Sequence, residues 1–277
     1  MHYMTLGKPV RDGNGRVTNA VLILHGTGGS GRQFQAPQFA DVLFGPGQLL
    51  DAGRYFIILP DNIGHGKSSK PSDGLHAHFP QYDYDDMVLA QHDLLVQGLG
   101  VNHLRLVLGT SMGCMHSWVW GETYPDFMDA LMPLACLPEP IAGRNRIWRK
   151  MVIDGIRQDP DWKNGEYATE PRAALQIGAD FLIFASSAPF LLYAVSASRN
   201  YDPSAQLRTI TVPVMFVNSA DDFINPPELG IAQREIQNVK RGRFVLILIS
   251  DQTHGHRTHT WAIVWQEYLK QLLAESQ

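Results

Sequence analysis

Leu104-Arg105-Leu106-Val107-Leu108-Gly109-Thr110-Ser111-Met112-Gly113 is the stretch on which the fold turns. The run Leu104–Leu108 is apolar apart from Arg105, and its last three residues are continuously so, as in a strand buried on both faces of a parallel sheet. It leads into a serine between two glycines, and the residues beyond it, through Trp118 and Trp120, read as helix. A G-x-S-x-G turn between strand and helix lifts the serine hydroxyl above the sheet edge. The helix that follows aims its N-terminal amides at any negative charge formed there. Ser111 is therefore a candidate nucleophile. A glycine-softened turn with no chemistry would carry the same five letters.

Working outward, similar runs lie at Val21–Leu24, Tyr55–Leu59, Ala130–Leu134, Val214–Val217 and Phe244–Ile249. Helical patterns separate them. Met87, Ala90, Leu94 and Leu95 share one face after the acidic start Asp85-Asp86, and Trp261, Val264, Trp265, Tyr268 and Leu272 share another. Alternating strand and helix predict an α/β fold with an open, doubly wound sheet, which binds ligands beyond the carboxyl ends of its strands. From Pro138 to Pro203 the rhythm breaks. Arg144–Ile156 and Ala173–Phe184 read as helices with no buried strand between them. The expected organisation is a core of residues 1–137 and 204–277 with a helical cap at 138–203.

A serine needs a base to take its proton, and the base needs an acid to orient it. After Val214–Val217 come Asp221 and Asp222, the latter spaced D-x-x-x-P from Pro226. Both also read as turn or capping aspartates before Glu228. After Phe244–Ile249 come His254, His256 and His259, with Gly255-His256 favouring His256 as base. His254-x-His256-x-x-His259 approaches a metal-binding spacing, but Thr258 occupies the aspartate position and only 18 residues follow His259. No metal is expected. Gly26-x-Gly28-x-x-Gly31 meets the dinucleotide spacing, yet Asp61 lies further on than the required acid. Gly66-Lys67-Ser68 fails as a phosphate loop because Asp61 stands where glycine is needed. No cofactor is expected.

The chain has 277 residues, 23 basic and 27 acidic, for a net charge of −4. It shows no basic stripe, which speaks against nucleic-acid binding. Its two cysteines, Cys114 and Cys136, make no framework and allow at most one bridge, leaving the redox compartment open. The N-terminus lacks the basic start and apolar run of a signal peptide, and no apolar stretch is long enough to span a membrane. The expectation is a cytoplasmic protein. An exported one whose signal had been removed would read the same.

Three further stretches carry a family resemblance. Asp86-Met87-Val88-x-Ala90-Gln91, Leu108-Gly109-Thr110-Ser111-Met112-Gly113 and Trp120-Gly121-Glu122-Thr123-Tyr124-Pro125-Asp126 resemble the homoserine O-acetyltransferase family of α/β hydrolases, as do the loops Ala220–Pro226 and Gly255-His256. The resemblance implies an α/β-hydrolase fold with Ser111 as nucleophile, Asp222 as acid and His256 as base. His25-Gly26-Thr27-Gly28-Gly29-Ser30 is similar to an oxyanion loop, which implies that the amides of Thr27 and Met112 hold the oxyanion. Asp61-Asn62-Ile63-Gly64-His65-Gly66-Lys67-Ser68 resembles a structural turn of that fold. The oxyanion loop, the shorter cap and Cys114 at a position where the family often has glycine resemble the hydrolase-like branch. The implied activity is hydrolysis of a small-molecule ester or thioester, with acetyl transfer to an alcohol such as homoserine as the alternative. The family's lid contact implies a possible homodimer. Substrate-binding candidates are Gly26 in the oxyanion loop and Arg144, Arg146 and Trp148 in the cap. The arginines, with Arg149, read more readily as a solvated helix face.

Overall fold

The apolar runs pair into one sheet of seven strands: β1 (Tyr3–Leu6), β2 (Ala20–Leu24), β3 (Phe56–Pro60), β4 (Leu106–Thr110), β5 (Leu131–Leu134), β6 (Val214–Ser219) and β7 (Gly242–Ile247). Their order is β1-β3-β2-β4-β5-β6-β7. Every neighbouring pair is parallel except β1 with β3. The computed structural model describes residues 1–167, 176 and 196–276. Among the described residues, no helix is long and apolar enough to cross a membrane.

Strands β2 to β6 are buried along their whole length. Successive side chains alternate between the two faces. Leu22, Leu24, Ile58 and Val107 pack on one side among α2 (Tyr84–Asp93), α3 (Met112–Thr123) and α5 (Ile231–Glu235). Val21, Ile23, Leu59 and Leu108 pack on the other, against α1 (Pro37–Leu43) and α6 (Ala262–Glu275). Trp118, Trp120 and Trp265 are fully buried between sheet and helices. Each such side chain contributes on the order of 2–3 kcal/mol by leaving water. Helix α2 starts in a capping box, in which Asp83 accepts from the Asp86 amide and Asp86 accepts from the Asp83 amide.

The strand ends move by one to two residues from the sequence expectation, and two larger differences fall at the edges of the sheet. Strand β1 was not anticipated, because Tyr-Met-Thr-Leu at a sheet edge alternates exposed and half-buried and makes no apolar run. Leu248 and Ile249 lie past the end of β7 and are 75% and 69% exposed, although their letters continue the run. The expected helix at Arg144–Ile156 is α4 (Gly143–Gln158). The expected helix at Ala173–Phe184 lies outside the described residues.

Cys114 and Cys136 form a disulfide, with their Cα atoms 5.8 Å apart. Both are buried. The bond joins the first turn of α3 to the residues just past β5. It closes a loop across a separation of 22 residues, which in the chain-entropy account stabilises the fold by about 3 kcal/mol. The expected result is that Cys114→Ala with Cys136→Ala lowers the urea midpoint correspondingly, and that reductant shifts the wild type but not the double variant. Equal midpoints for all samples would remove the bond from the stability account.

Candidate active site

Ser111 sits at φ 54° and ψ −111°, a conformation that side-chain-bearing residues rarely adopt. Such backbone costs on the order of 1–3 kcal/mol and persists where the surroundings enforce it. Its flanking glycines are required by space. A Cβ at Gly109 would stand 1.9 Å from the Gly113 carbonyl oxygen, and one at Gly113 would stand 2.1 Å from that of Leu24. The Ser111 amide donates to the Leu134 carbonyl at 2.9 Å, tying the turn to β5.

The side chains from three strand ends converge on this serine. His256 Nε2 lies 2.8 Å from Ser111 Oγ, and His256 Nδ1 lies 2.9 Å from Asp222 Oδ2. The carboxylate only accepts, so Nδ1 carries the proton it donates there, and Nε2 is left to accept from the serine. Asp222 is 2% exposed. Burial alone would raise its pKa. The charge and hydrogen bond of His256, and the backbone and side-chain hydrogen bonds of Asn225, outweigh burial and hold it down at about 2. Asp222 Oδ1 also accepts the amides of Ile224 at 2.8 Å and Asn225 at 2.9 Å.

A carboxyl held below its ordinary value contributes stability above that value and loses it as the acid titrates. For Asp222 the window runs from the ordinary 3.8 down to about 2. The gap amounts to about 2 kcal/mol. The melting temperature of the wild type should therefore exceed that of Asp222→Asn at neutral pH, and the difference should shrink as the pH falls below about 4. A difference independent of pH would detach it from the ionised acid.

The other expected residues fall into distinct places. Asp221 does not reach His256. Its Oδ2 accepts the Gly255 amide at 2.9 Å, its Oδ1 accepts the Ser219 hydroxyl, and so it clamps the histidine loop. His254 stacks on Trp261 at 4.2 Å. The His259 ring meets that of His256 edge to face at 5.1 Å, and burial, then the charge of His256, holds its pKa at about 3. The three histidines are thus spread over different surroundings rather than gathered on one point.

Gly26 abuts Ser111: a Cβ there would stand 3.2 Å from Ser111 Cβ and 3.8 Å from its Oγ. His25 is fully buried, and burial, then the neighbouring His65, lowers its pKa to about 3. Its Nδ1 donates to the Gly26 carbonyl at 2.8 Å, and its Nε2 accepts the Asn62 amide at 3.0 Å. The Gly29 amide donates to the same carbonyl at 3.0 Å. That carbonyl shares a peptide plane with the Thr27 amide and points away from it, so both bonds fix the direction of the Thr27 N–H. Asp61 accepts the amides of Gly31 at 2.8 Å and Lys67 at 2.9 Å and thereby holds the two loops together.

The substrate-binding candidates Arg144, Arg146 and Trp148 lie on α4. Arg144 pairs with Glu228 at 3.2 Å, and its guanidinium lies 4.0 Å from the centre of the Phe223 ring. Trp148 stacks on the same ring at 5.7 Å. Arg146 is exposed. Arg149 donates to Ser198 at 2.8 Å and to Asn145 at 3.0 Å. Helix α4 therefore rests on the loop that carries Asp222. Sequence reasoning gives Asn225 and the His25 side chain no role of their own and leaves a single disulfide open. The chain's having only two cysteines was the one available signal for the last.

A serine on a strained turn between β4 and α3, an aspartate after β6 and a histidine after β7 define a class of protein. The chain belongs to the α/β-hydrolase fold family, whose model matches residues 19–189. It is similar to the homoserine O-acetyltransferase of Pelobacter propionicus, 35% identical over 182 residues, which is 59% of this chain and 48% of that protein. A probable acyltransferase of Methanothermobacter thermautotrophicus is 30% identical over 82% of this chain and 65% of its own length. The chain spans about half the length of the homoserine O-acetyltransferases it matches. Among solved structures, an acetylester hydrolase from Corynebacterium glutamicum superposes with a TM-score of 0.82 at 21% identity, covering 98% of this chain and 89% of that one. The homoserine O-acetyltransferase of Bacillus anthracis also gives 0.82, at 18% identity over 99% and 92% of the two chains.

Proposed function

We propose that the chain is a serine-dependent acyl hydrolase acting on a small ester or thioester through an acyl-enzyme on Ser111. The observation that carries the reading is the unbroken relay from Ser111 Oγ through His256 to Asp222, at 2.8 and 2.9 Å. Ser111 Oγ attacks the acyl carbonyl as its proton passes to His256 Nε2. The carbonyl oxygen becomes an oxyanion and takes hydrogen bonds from the amides of Thr27 and Met112, the latter at the N-terminus of α3. The tetrahedral carbon expels the alkoxide or thiolate, which receives the proton from His256. Water then gives a proton to His256 and attacks the acyl-serine, and the second tetrahedral carbon expels Ser111 Oγ, which takes that proton back as the carboxylic acid leaves. Asp222 keeps His256 in the tautomer that can accept from serine and stabilises the imidazolium.

A second reading is transfer of the acyl group to an alcohol, and the likeness to homoserine O-acetyltransferases favours it. The two share every step up to the acyl-enzyme. The test is a product balance with p-nitrophenyl acetate or acetyl-CoA as donor, with and without homoserine. Acetate alone supports the hydrolase. O-acetylhomoserine formed at the expense of acetate supports the transferase.

A further inference from the structure

Three anchors of the site meet on one short segment, Leu134-Ala135-Cys136, just where β5 ends. The Leu134 carbonyl accepts the Ser111 amide at 2.9 Å. The Cys136 sulfur is bonded to Cys114 on the nucleophile helix. The Ala135 carbonyl accepts Asn225 Nδ2 at 3.0 Å. Ala135 itself has a φ of 63°, and its amide donates to Val217 on β6 at 3.0 Å. The first two anchors hold the serine arm. The third is a side chain from the acid loop.

We propose that Asn225 is a positioning residue, which ties the acid loop to the β5 segment and selects the oxygen of Asp222 that His256 meets. This rests on the reading of Ser111, His256 and Asp222 as one relay. Asn225 is 7% exposed. Its amide nitrogen has two protons. One goes to the Ala135 carbonyl and the other faces Asp222 Oδ2 at 3.3 Å. Turning the amide over would set its oxygen against a carbonyl and a carboxylate, so its orientation is fixed. Its backbone amide donates to Asp222 Oδ1 at 2.9 Å, and its carbonyl accepts Asn218 Nδ2 at 2.9 Å. Oδ1 is thus occupied by two amides, those of Ile224 and Asn225, and Oδ2 is turned toward the histidine. Asn225 Nδ2 also lies 3.5 Å from His256 Nδ1. Two donors face each other there, which leaves Oδ2 as the acceptor for the imidazole proton.

The role acts through Asp222, so it is read on the His256–Asp222 hydrogen bond as well as on turnover. Asn225→Ala removes the tie. Asn225→Asp keeps the size and shape but replaces the donor with a carboxyl group beside Asp222. Both variants are compared with the wild type by proton NMR of the low-field His256 Nδ1–H resonance, which needs no substrate. Both are also compared in kcat and KM for p-nitrophenyl acetate. The expected result is a shifted or lost resonance and a kcat lower by about ten- to a hundredfold, with KM changed far less. If Asn225→Ala does not fold, Asn225→Asp decides. A folded variant with the wild-type resonance and wild-type kcat overturns the proposal. If Ser111→Ala turns over ester as fast as the wild type, the relay reading has failed instead, and the resonance alone decides on Asn225.

Discussion

Asp222→Asn is expected to lower kcat by roughly 10⁴ while leaving the fold intact. The carboxylate accepts the proton on His256 Nδ1. An amide in its place can turn its NH₂ toward the ring, and the imidazole then carries its proton on Nε2. That nitrogen faces Ser111 Oγ and can no longer accept from it. The imidazolium of the transition state also loses its counter-charge. The loss belongs to kcat, because Asp222 is buried and meets the imidazole nitrogen opposite the one that faces Ser111. Steady-state rates on the purified, folded variant check it. A variant with most of its activity would move the acid role elsewhere, and Asp221 is one residue away. Asp221, however, is already engaged with the Gly255 amide and the Ser219 hydroxyl.

Ser111→Ala should have the larger effect, on the order of 10⁶ in kcat. It deletes the atom that forms the bond to the acyl group, and with it the two-step route. What remains is the oxyanion hole and the histidine acting on water, which gives a residual rate still above background. Stability should hold or rise slightly. Alanine removes a buried-side hydroxyl, although it keeps the strained backbone at φ 54°. Ester turnover by the variant equal to that of the wild type would remove Ser111 from the chemistry.

The sheet was legible because strands β2 to β6 are buried on both faces, and burial on both faces writes a continuous apolar run. Edges are not written that way. Strand β1 has one face exposed and the other only half-buried and makes no apolar run, while Leu248 and Ile249 are apolar yet lie beyond the strand in solvent. The elbow could be read because Gly109 and Gly113 are required by steric contact within five residues of chain. Choosing Asp222 over Asp221 rested on spacing to Pro226, whereas the structure separates them by contact: one carboxylate meets the imidazole and its neighbour meets the Gly255 amide. Asn225 had no signature of its own. Its partners Ala135 and His256 are far away in sequence, and an asparagine before proline reads as a turn residue. The disulfide was hidden for the same reason, since β4, α3 and β5 bring Cys114 and Cys136 together. For Arg144 the letters suggested a free cation, and the fold gives it Glu228 and the Phe223 ring.

The most direct test of the central claim, that Ser111 is an activated nucleophile within a relay, is reaction with diethyl p-nitrophenyl phosphate. The product of attack is a stable phosphoryl-serine, so the result does not depend on how fast an acyl-enzyme breaks down. One equivalent of p-nitrophenol per chain should be released, esterase activity should fall in proportion, and peptide mass mapping should find the diethylphosphoryl group on Ser111. Retained ester turnover with no adduct, or an adduct on another residue that accounts for the lost activity, would contradict the account.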